Sequence, residues 1–568
     1  MSGLLVAALV ATTIVVASRD DEQATPRADG TTGRRDIGGG RKDGDSLSRA
    51  CDLSPEILVR LWRGYDPLRS EDVTIVPRYP NYWGSFSTTS HTGPWDYLQN
   101  VPLVLYGPGY IEPSGVLQEP ANVIDVFPTV GSLLGVDLPN RDGEVLAESL
   151  APEATDPPRL ILVVVWDGAG RNVLDRWPDR WPHLSAMEQQ GTSYEDATVG
   201  SSPSITAATH SNLGTGTWPR THRMTGNLYR DASGEMSEAF EQGNPASLAV
   251  STFADEVDSS FANEPLVGLI GWQPGTEIRE GPDAWRSDHL GMFGHGTASP
   301  GGDADQVGLL GEEGDLEANP NFYSSLSRLA DPEQLLEEAR TLDIADGTAD
   351  GETLGHDILT EHDNPAWASY QTDILLRLLR EEDYGRDATP DLLFTNYKMT
   401  DRAGHNYTID SKEMAIALEA QDAALGELTA YLEKEIHDFV VILTADHGHT
   451  PSTQRSGAWP ISATETVADL NAHFEIPEGE SLVVAPTAAG MFLDRATATS
   501  NDVTPADIAQ FLNGYTLGEN WPKGKELPED YEGKAQQTVL SAAFASDQIE
   551  SVVRCKFGSK RPPRDIDA

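Results

Sequence analysis

Four stretches of the chain are apolar almost throughout rather than at every second position: LILVVVW at 160–166, LVGLIGW at 266–272, DLLFTNY at 391–397 and DFVVILTA at 438–445. A strand covered on both faces reads this way, because neither side of its pleat meets water. Helical patterns lie between these runs, one near Asn172 and the clearest over Lys412–Glu435. Strands alternating with helices predict a doubly wound, mostly parallel α/β sheet with helices on both faces. Upstream, SPEILVRLWRGY predicts a short helix capped by its serine. DVTIVP (72–77) and VPLVLYG (101–107) predict strands, and NVIDVFPTVGSLLGV (122–136) a helix. Residues 273–365 and 450–550 are rich in Gly, Asp and Pro without a clear period, and are expected to be irregular insertions or a cap. Residues 19–50 are expected to be a disordered linker, and LAPEATDPP a second one.

Composition narrows the partners. The 568 residues carry 90 acidic against 40 basic side chains, a formal charge of -50. Such a surface repels nucleic acid and anionic membranes, so neither is an expected partner. The two cysteines, Cys51 and Cys555, exclude a CxxC metal motif, so any metal is held by Asp, Glu and His. The run from Leu4 to Ala17 is shorter than the roughly 20 residues of a bilayer span. Residues 1–18 therefore read as a signal peptide or membrane anchor. This places the protein outside the cytoplasm, secreted or at the cell surface.

The candidate chemistry gathers where the apolar runs end. LILVVVW ends in Asp167; DLLFTNY leads into KMTDRAGH, with Asp401 and His405 four apart; DFVVILTA leads into Asp446 and His447. In an open α/β sheet these carboxyl edges are where ligands bind. Mixed carboxylate and imidazole donors suit Zn²⁺, and less selectively Mn²⁺ or Fe²⁺. Between the first and later clusters lies GSSPSITAATHSNLGTG (200–216), dense in hydroxyls at a turn into a helix. The residues alone leave Ser204 and Thr206 equal as a nucleophile.

These motifs resemble the alkaline phosphatase superfamily, nearest its type I phosphodiesterase/nucleotide pyrophosphatase branch. The carrying residues are Asp167, then Thr206 with His210 four on and Thr215–Gly216 nine and ten on. WPRTH at 218–222, Asn227, DRAGH and ADHG follow. The resemblance implies a phosphoric ester hydrolase with Thr206 as nucleophile and two zinc ions. One ion is implied on Asp401, His405 and His91, the other on Asp167, Asp446, His447 and the Thr206 oxygen. Asn227 is implied as a donor to a phosphoryl oxygen. His210 is expected to be structural.

The family's last histidine lies downstream of its DHG motif. Here the later histidines, His449 and His473, lack that context, and the matching SHTGPWDYLQNVPLVLYGPG, with His91, lies upstream. Residues 51–157 thus resemble the family's C-terminal segment placed ahead of a main catalytic domain at 158–568. That order implies a circular permutation; a truncated second copy fused upstream is the competing explanation. Permutation would bring Cys51 near Cys555, where they either pair or stay as buried thiols.

The substrate implied is a small phosphate ester or nucleotide. Monoesterases of the superfamily hold the dianion with Arg or a Lys–Arg pair, and no Lys occurs between Thr206 and Lys398. That tilts the expectation toward diesters or nucleotide pyrophosphates, with Arg279 and Arg286 as remaining clamp candidates. A phosphomonoesterase and a non-catalytic metal-binding relative are the alternatives. A sulfatase is excluded, since SSPSI lacks the arginine of its nucleophile motif.

Overall fold

In a computed structural model of the protein, the two faces of LILVVVW enter different cores. Leu160, Leu162, Val164 and Trp166 belong to one cluster, and Ile161, Val163 and Val165 to another. Phe439, Val441 and Leu443 join the first cluster, Val440 and Ile442 the second. The period-2 pleat sends successive side chains to opposite sides, so a central strand needs apolar residues throughout. Each such side chain contributes about 1.5–3 kcal/mol on burial. A charge at Val163 would have no partner there. The structure describes residues 44–563 apart from 87–88, 92, 140, 153–155, 241–246, 273–305, 311–314, 319–325, 346, 358–364 and 488. The signal segment, most of the first linker, and Arg279 and Arg286 lie outside the described residues.

Two sheets organise the chain. Their strands, in chain order, are β1 (Val73–Pro77), β2 (Leu103–Tyr106), β3 (Gly115–Leu117), β4 (Leu160–Trp166), β5 (Thr192–Tyr194), β6 (Val267–Trp272), β7 (Gln306–Leu310), β8 (Leu316–Ala318), β9 (Asp391–Tyr397), β10 (Phe439–Thr444), β11 (Val483–Pro486), β12 (Gly490–Leu493) and β13 (Leu540–Ala545). The nine-stranded sheet runs β8-β7-β6-β9-β4-β10-β2-β5-β3. Its centre, β7 to β10, is parallel. β2 then pairs antiparallel with β10 and with β5. The helices used below are α1 (Gly44–Cys51), α2 (Pro55–Gly64), α3 (Thr206–Thr215), α4 (Ala366–Glu381), α5 (Met399–Tyr407), α6 (Lys412–Glu435) and α7 (Ile549–Phe557). Buried residues of α4 and α6 complete the first core. The α/β class expected from the sequence is the one observed. Among the described residues, no helix is long and apolar enough to cross a membrane.

Three expectations need correction. The described residues of 273–365 are not all irregular, since they hold β7 and β8 of the large sheet and a helix over Pro332–Ala345. Residues 450–550 are not irregular: their described residues fold into four strands and several helices, and three of those strands join β1 in the antiparallel sheet β11-β12-β1-β13 over its own core. LSAAFA in β13 is too rich in alanine to read as a strand, and its partner β1 lies more than 400 residues upstream in sequence. The end of the expected linker is likewise helical, because α1 docks Ala50 against Leu53, Leu58, Val552 and Val553. Cys51 at the end of α1 forms a disulfide with Cys555 in α7, with 5.5 Å between their Cα atoms. The N-terminal segment is woven into the main fold: β2 is an interior strand of the large sheet, and β1 an interior strand of the small one.

Candidate active site

The carboxyl ends of β4, β9 and β10 meet at one place. The Asp167 N–H donates to the Tyr397 carbonyl at 2.9 Å, and the Gly168 N–H donates to Asp446 Oδ1 at 2.9 Å. Gly168 is required by contact as well as by φ of 73°, since a Cβ there would lie 2.8 Å from Asp401 Cα. Asp401 and His405 share one face of α5 through their four-residue spacing, with Nε2 3.4 Å from Oδ1. His91 arrives from the N-terminal segment, its Nε2 3.7 Å from the same Asp401 oxygen. His447 Nε2 lies 3.6 Å from Asp167 Oδ1 and 3.4 Å from Asp446 Oδ2. All seven side chains expected to bind metal, Thr206 included, therefore lie at one site.

Thr206 is 5% exposed and opens the ten-residue helix α3. Its hydroxyl sits at the positive end of that helix, where an anion is favoured. The Ala207 N–H donates to Asn227 Oδ1 at 3.4 Å, which places Asn227 beside Thr206. The turn before Thr206 hangs on the N-terminal segment. The Ser202 N–H donates to the Arg60 carbonyl at 3.1 Å, and the Arg63 guanidinium to the Gly200 carbonyl at 2.9 Å. The Gln99 amide donates to the Ser201 carbonyl at 3.1 Å.

Hydrogen bonds sort the histidines into two kinds. The Nδ1–H groups of His91, His405 and His447 donate to the carbonyls of Ser204, Thr89 and Gly448, each at 2.9 Å. A carbonyl can only accept, so Nδ1 carries the proton and Nε2 is left bare, as a metal ligand requires. His210 differs: Nδ1–H donates to the Thr206 carbonyl at 2.8 Å and Nε2 accepts from the Asn396 amide at 2.9 Å. His222 also uses both nitrogens, donating to Asn212 Oδ1 and accepting from the Met224 N–H. Burial holds His210 neutral, down to about 4, and His222 down to about 3. His473 packs against Phe474 and Phe511, away from this constellation.

The residues present fit a metal. Five atoms here are buried without a hydrogen-bond partner: Asp167 Oδ1, Asp401 Oδ1, Asp446 Oδ2, His447 Nε2 and His449 Nε2. Buried polar groups are rarely left unpaired, and here they gather in groups whose ligand atoms lie within 4.8 Å of one another. Burial, then the neighbouring Asp167 charge, pushes the Asp446 carboxyl well above its ordinary range. Burial alone would raise Asp401 too, but Lys398 and His405 hold it well below the usual carboxylate range. Burial pushes the imidazoles of His91, His447 and His449 well below theirs, so they stay uncharged. The carboxyls of Asp167, Asp401 and Asp446 gather round the Lys398 ammonium, and a bound cation would offset the charge they carry when ionised.

Two members of the site are absent from the sequence-based assignment. Lys398 Nζ lies 2.8 Å from Asp167 Oδ2, 3.1 Å from Asp401 Oδ2 and 3.2 Å from Thr206 Oγ1. Its signal was its place directly after a buried strand and three residues before Asp401. His449, set aside for want of context, is 0% exposed beside His405 and His91.

Carboxylates and imidazoles delivered by parallel-strand ends to a threonine at a helix N-terminus place the protein in the alkaline phosphatase superfamily. Residues 161–513 match the family model described as type I phosphodiesterase / nucleotide pyrophosphatase, and the chain belongs to that family. Among curated proteins it is similar to alkaline phosphatase PhoK of Sphingomonas sp., 23% identical over 333 residues, 54% of this chain and 58% of that protein. It is similar also to alkaline phosphatase PhoV of Synechococcus elongatus, 22% identical over 349 residues, 54% and 62% of the two chains. These matches span less than two thirds of the relatives' lengths. Among solved structures, wild-type alkaline phosphatase PafA aligns at 15% identity with a TM-score of 0.49, covering 69% of this chain and 85% of that one.

Proposed function

We propose that the protein is a metal-dependent phosphoric ester hydrolase with Thr206 as its nucleophile. The observation that carries this is the set of unpartnered carboxylate and imidazole atoms gathered beside a threonine at a helix N-terminus. Asp401, His405 and His91 would hold one zinc ion; Asp167, Asp446, His447 and Thr206 Oγ1 would hold the other. Ions so held would supply Lewis acidity that lowers the cost of deprotonating Thr206 and of charge on the departing oxygen. Thr206 Oγ1 forms a bond to phosphorus as the ester P–O bond breaks, and water then cleaves the phosphothreonine. Asn227, with its Oδ1 engaged by Ala207, has its NH₂ for a phosphoryl oxygen, and the first turn of α3 adds its N–H dipoles.

The family description points to diesters and pyrophosphates. A second reading, a phosphomonoester, is favoured by Lys398, whose ammonium stands 3.2 Å from Thr206 Oγ1 and supplies the lysine that seemed missing from the sequence. Turnover of bis-p-nitrophenyl phosphate against p-nitrophenyl phosphate, with and without a chelator, separates the readings. No chelator-sensitive turnover of either overturns the enzyme. The disulfide supports an oxidising, extracytoplasmic location. The circular permutation is supported by β2 lying inside the main sheet, by His91 meeting Asp401, and by the proximity of Cys51 and Cys555.

A further inference from the structure

We infer that His449 is an additional ligand of the metal held by Asp401, His405 and His91, making that position a site of three imidazoles and one carboxylate. The inference rests on the two-metal reading above and adds a donor to it. The centroids of the three rings stand 4.8 Å (His405–His449), 5.2 Å (His91–His405) and 5.6 Å (His91–His449) apart, each pair edge-on. Three imidazoles on one ion, with Zn–N of ~2.0–2.1 Å, place their centroids about 5 Å apart, and a coordination number above four leaves room for the ester oxygen beside the Asp401 carboxylate. Asp401, His405 and His449 each offer a ligand atom within 4.8 Å of the others.

The protonation of His449 is arranged as it is for the other ligands. The Thr89 hydroxyl donates to the Gly404 carbonyl at 2.7 Å, which leaves its oxygen to accept from His449 Nδ1 at 3.5 Å. Nε2 is then bare, and it is buried with no hydrogen-bond partner. A structural histidine in this protein looks different, as His210 and His222 spend both nitrogens on protein groups. Two further features hold the ring in place. Asn172 binds the backbone of His449 at both ends, accepting from its N–H at 3.4 Å and donating to its carbonyl at 2.6 Å. Gly404 gives the ring room on α5, since a Cβ there would lie 2.8 Å from His449 Nε2 and 2.5 Å from Cδ2.

The test measures metal rather than turnover. Zinc per chain and its rate of loss to a chelator are measured by mass spectrometry for the full-length protein, His449→Ala and, as a control, His405→Ala. The cobalt-substituted forms are compared by visible absorption. Loss of one of two ions from His449→Ala at least tenfold faster than from wild type, with a changed cobalt band, is the expected result. Gly404→Ala, which displaces the ring without removing a donor, should move both readouts in the same direction. If His449→Ala does not fold, His449→Gln takes its place. Wild-type stoichiometry, release rate and cobalt spectrum in a folded His449 variant overturn this inference alone. Fewer than two ions in the wild-type protein overturn the two-metal reading and this inference with it.

Discussion

Gly64→Ala probes whether the N-terminal segment positions Thr206. Gly64 closes α2, and a Cβ built there would lie 1.8 Å from the Ser202 carbonyl oxygen. A carbon approaches a carbonyl oxygen to about 3.3 Å, so the two backbones must separate by about 1.5 Å. Neither contact atom is the end of a flexible side chain. If helix and loop share the movement, the turn before Thr206 shifts by about 0.7 Å. A misplacement of about 1 Å costs roughly 10²-fold in rate, so kcat/KM should fall about 30- to 100-fold, or about 2–2.7 kcal/mol. Overpacking should also destabilise the fold by about 1–3 kcal/mol. Steady-state kinetics on p-nitrophenyl phosphate, bound metal and thermal midpoint are measured beside Gly533→Ala, where an added Cβ meets nothing within 4 Å. A Gly64→Ala enzyme within threefold of wild type, with an unchanged midpoint, refutes the buttressing of the loop by α2.

Three other substitutions or rearrangements have defined outcomes. Lys398→Met should lower kcat/KM on monoesters by about 10²–10³-fold and on diesters by less than tenfold, measured on the two nitrophenyl substrates; equal losses would reduce the lysine to a counter-charge. Cys51→Ser with Cys555→Ser opens a loop spanning 504 residues. Loss of a native disulfide costs about 2–5 kcal/mol, so the melting midpoint should drop and added reductant should have no further effect. A relinked chain running from Arg159 to Cys555, then through a short Gly–Ser link to Cys51 and on to Ala151, should fold and keep its metals. Failure of that chain to fold, judged by circular dichroism and zinc content, would count against the permutation.

The central sheet was legible because a strand buried on both faces cannot hide: LILVVVW and DLLFTNY became β4 and β9 residue for residue, and Lys412–Glu435 became α6. The carboxyl-edge acids followed, since strand ends fix where the next side chain emerges. Of the small sheet only β1 was legible, as DVTIVP; β11, β12 and β13 were not. Its strands are short and lean on Ala, Thr and Pro, and β1 and β13 find each other only through tertiary packing of residues such as Ile75, Leu540 and Ala543. Lys398 was missed for a different reason. A lysine after a strand ordinarily points to water, and only the convergence of Asp167, Asp401 and Asp446 turns this one inward. His449 was missed because motif spacing carries no information about which nitrogen the fold leaves bare.

That last property explains why the site cannot be built from residues 158–568 alone. A zinc-binding imidazole must present an unprotonated nitrogen at rest, and something on its far side must hold the proton. For His405 that acceptor is the Thr89 carbonyl, and for His449 it is the Thr89 hydroxyl, itself fixed by donating to Gly404. The reverse dependence holds too: His91, from the N-terminal segment, has its proton held by the Ser204 carbonyl in the turn before Thr206. The candidate ligand that the upstream segment lends, and the acceptors that orient the downstream imidazoles, thus lie within three residues of each other. Cutting the chain between Ala151 and Arg159 separates neither group from its neighbours in space, whereas removing residues 51–157 would take a ligand, two orienting acceptors and the interior strand β2 together.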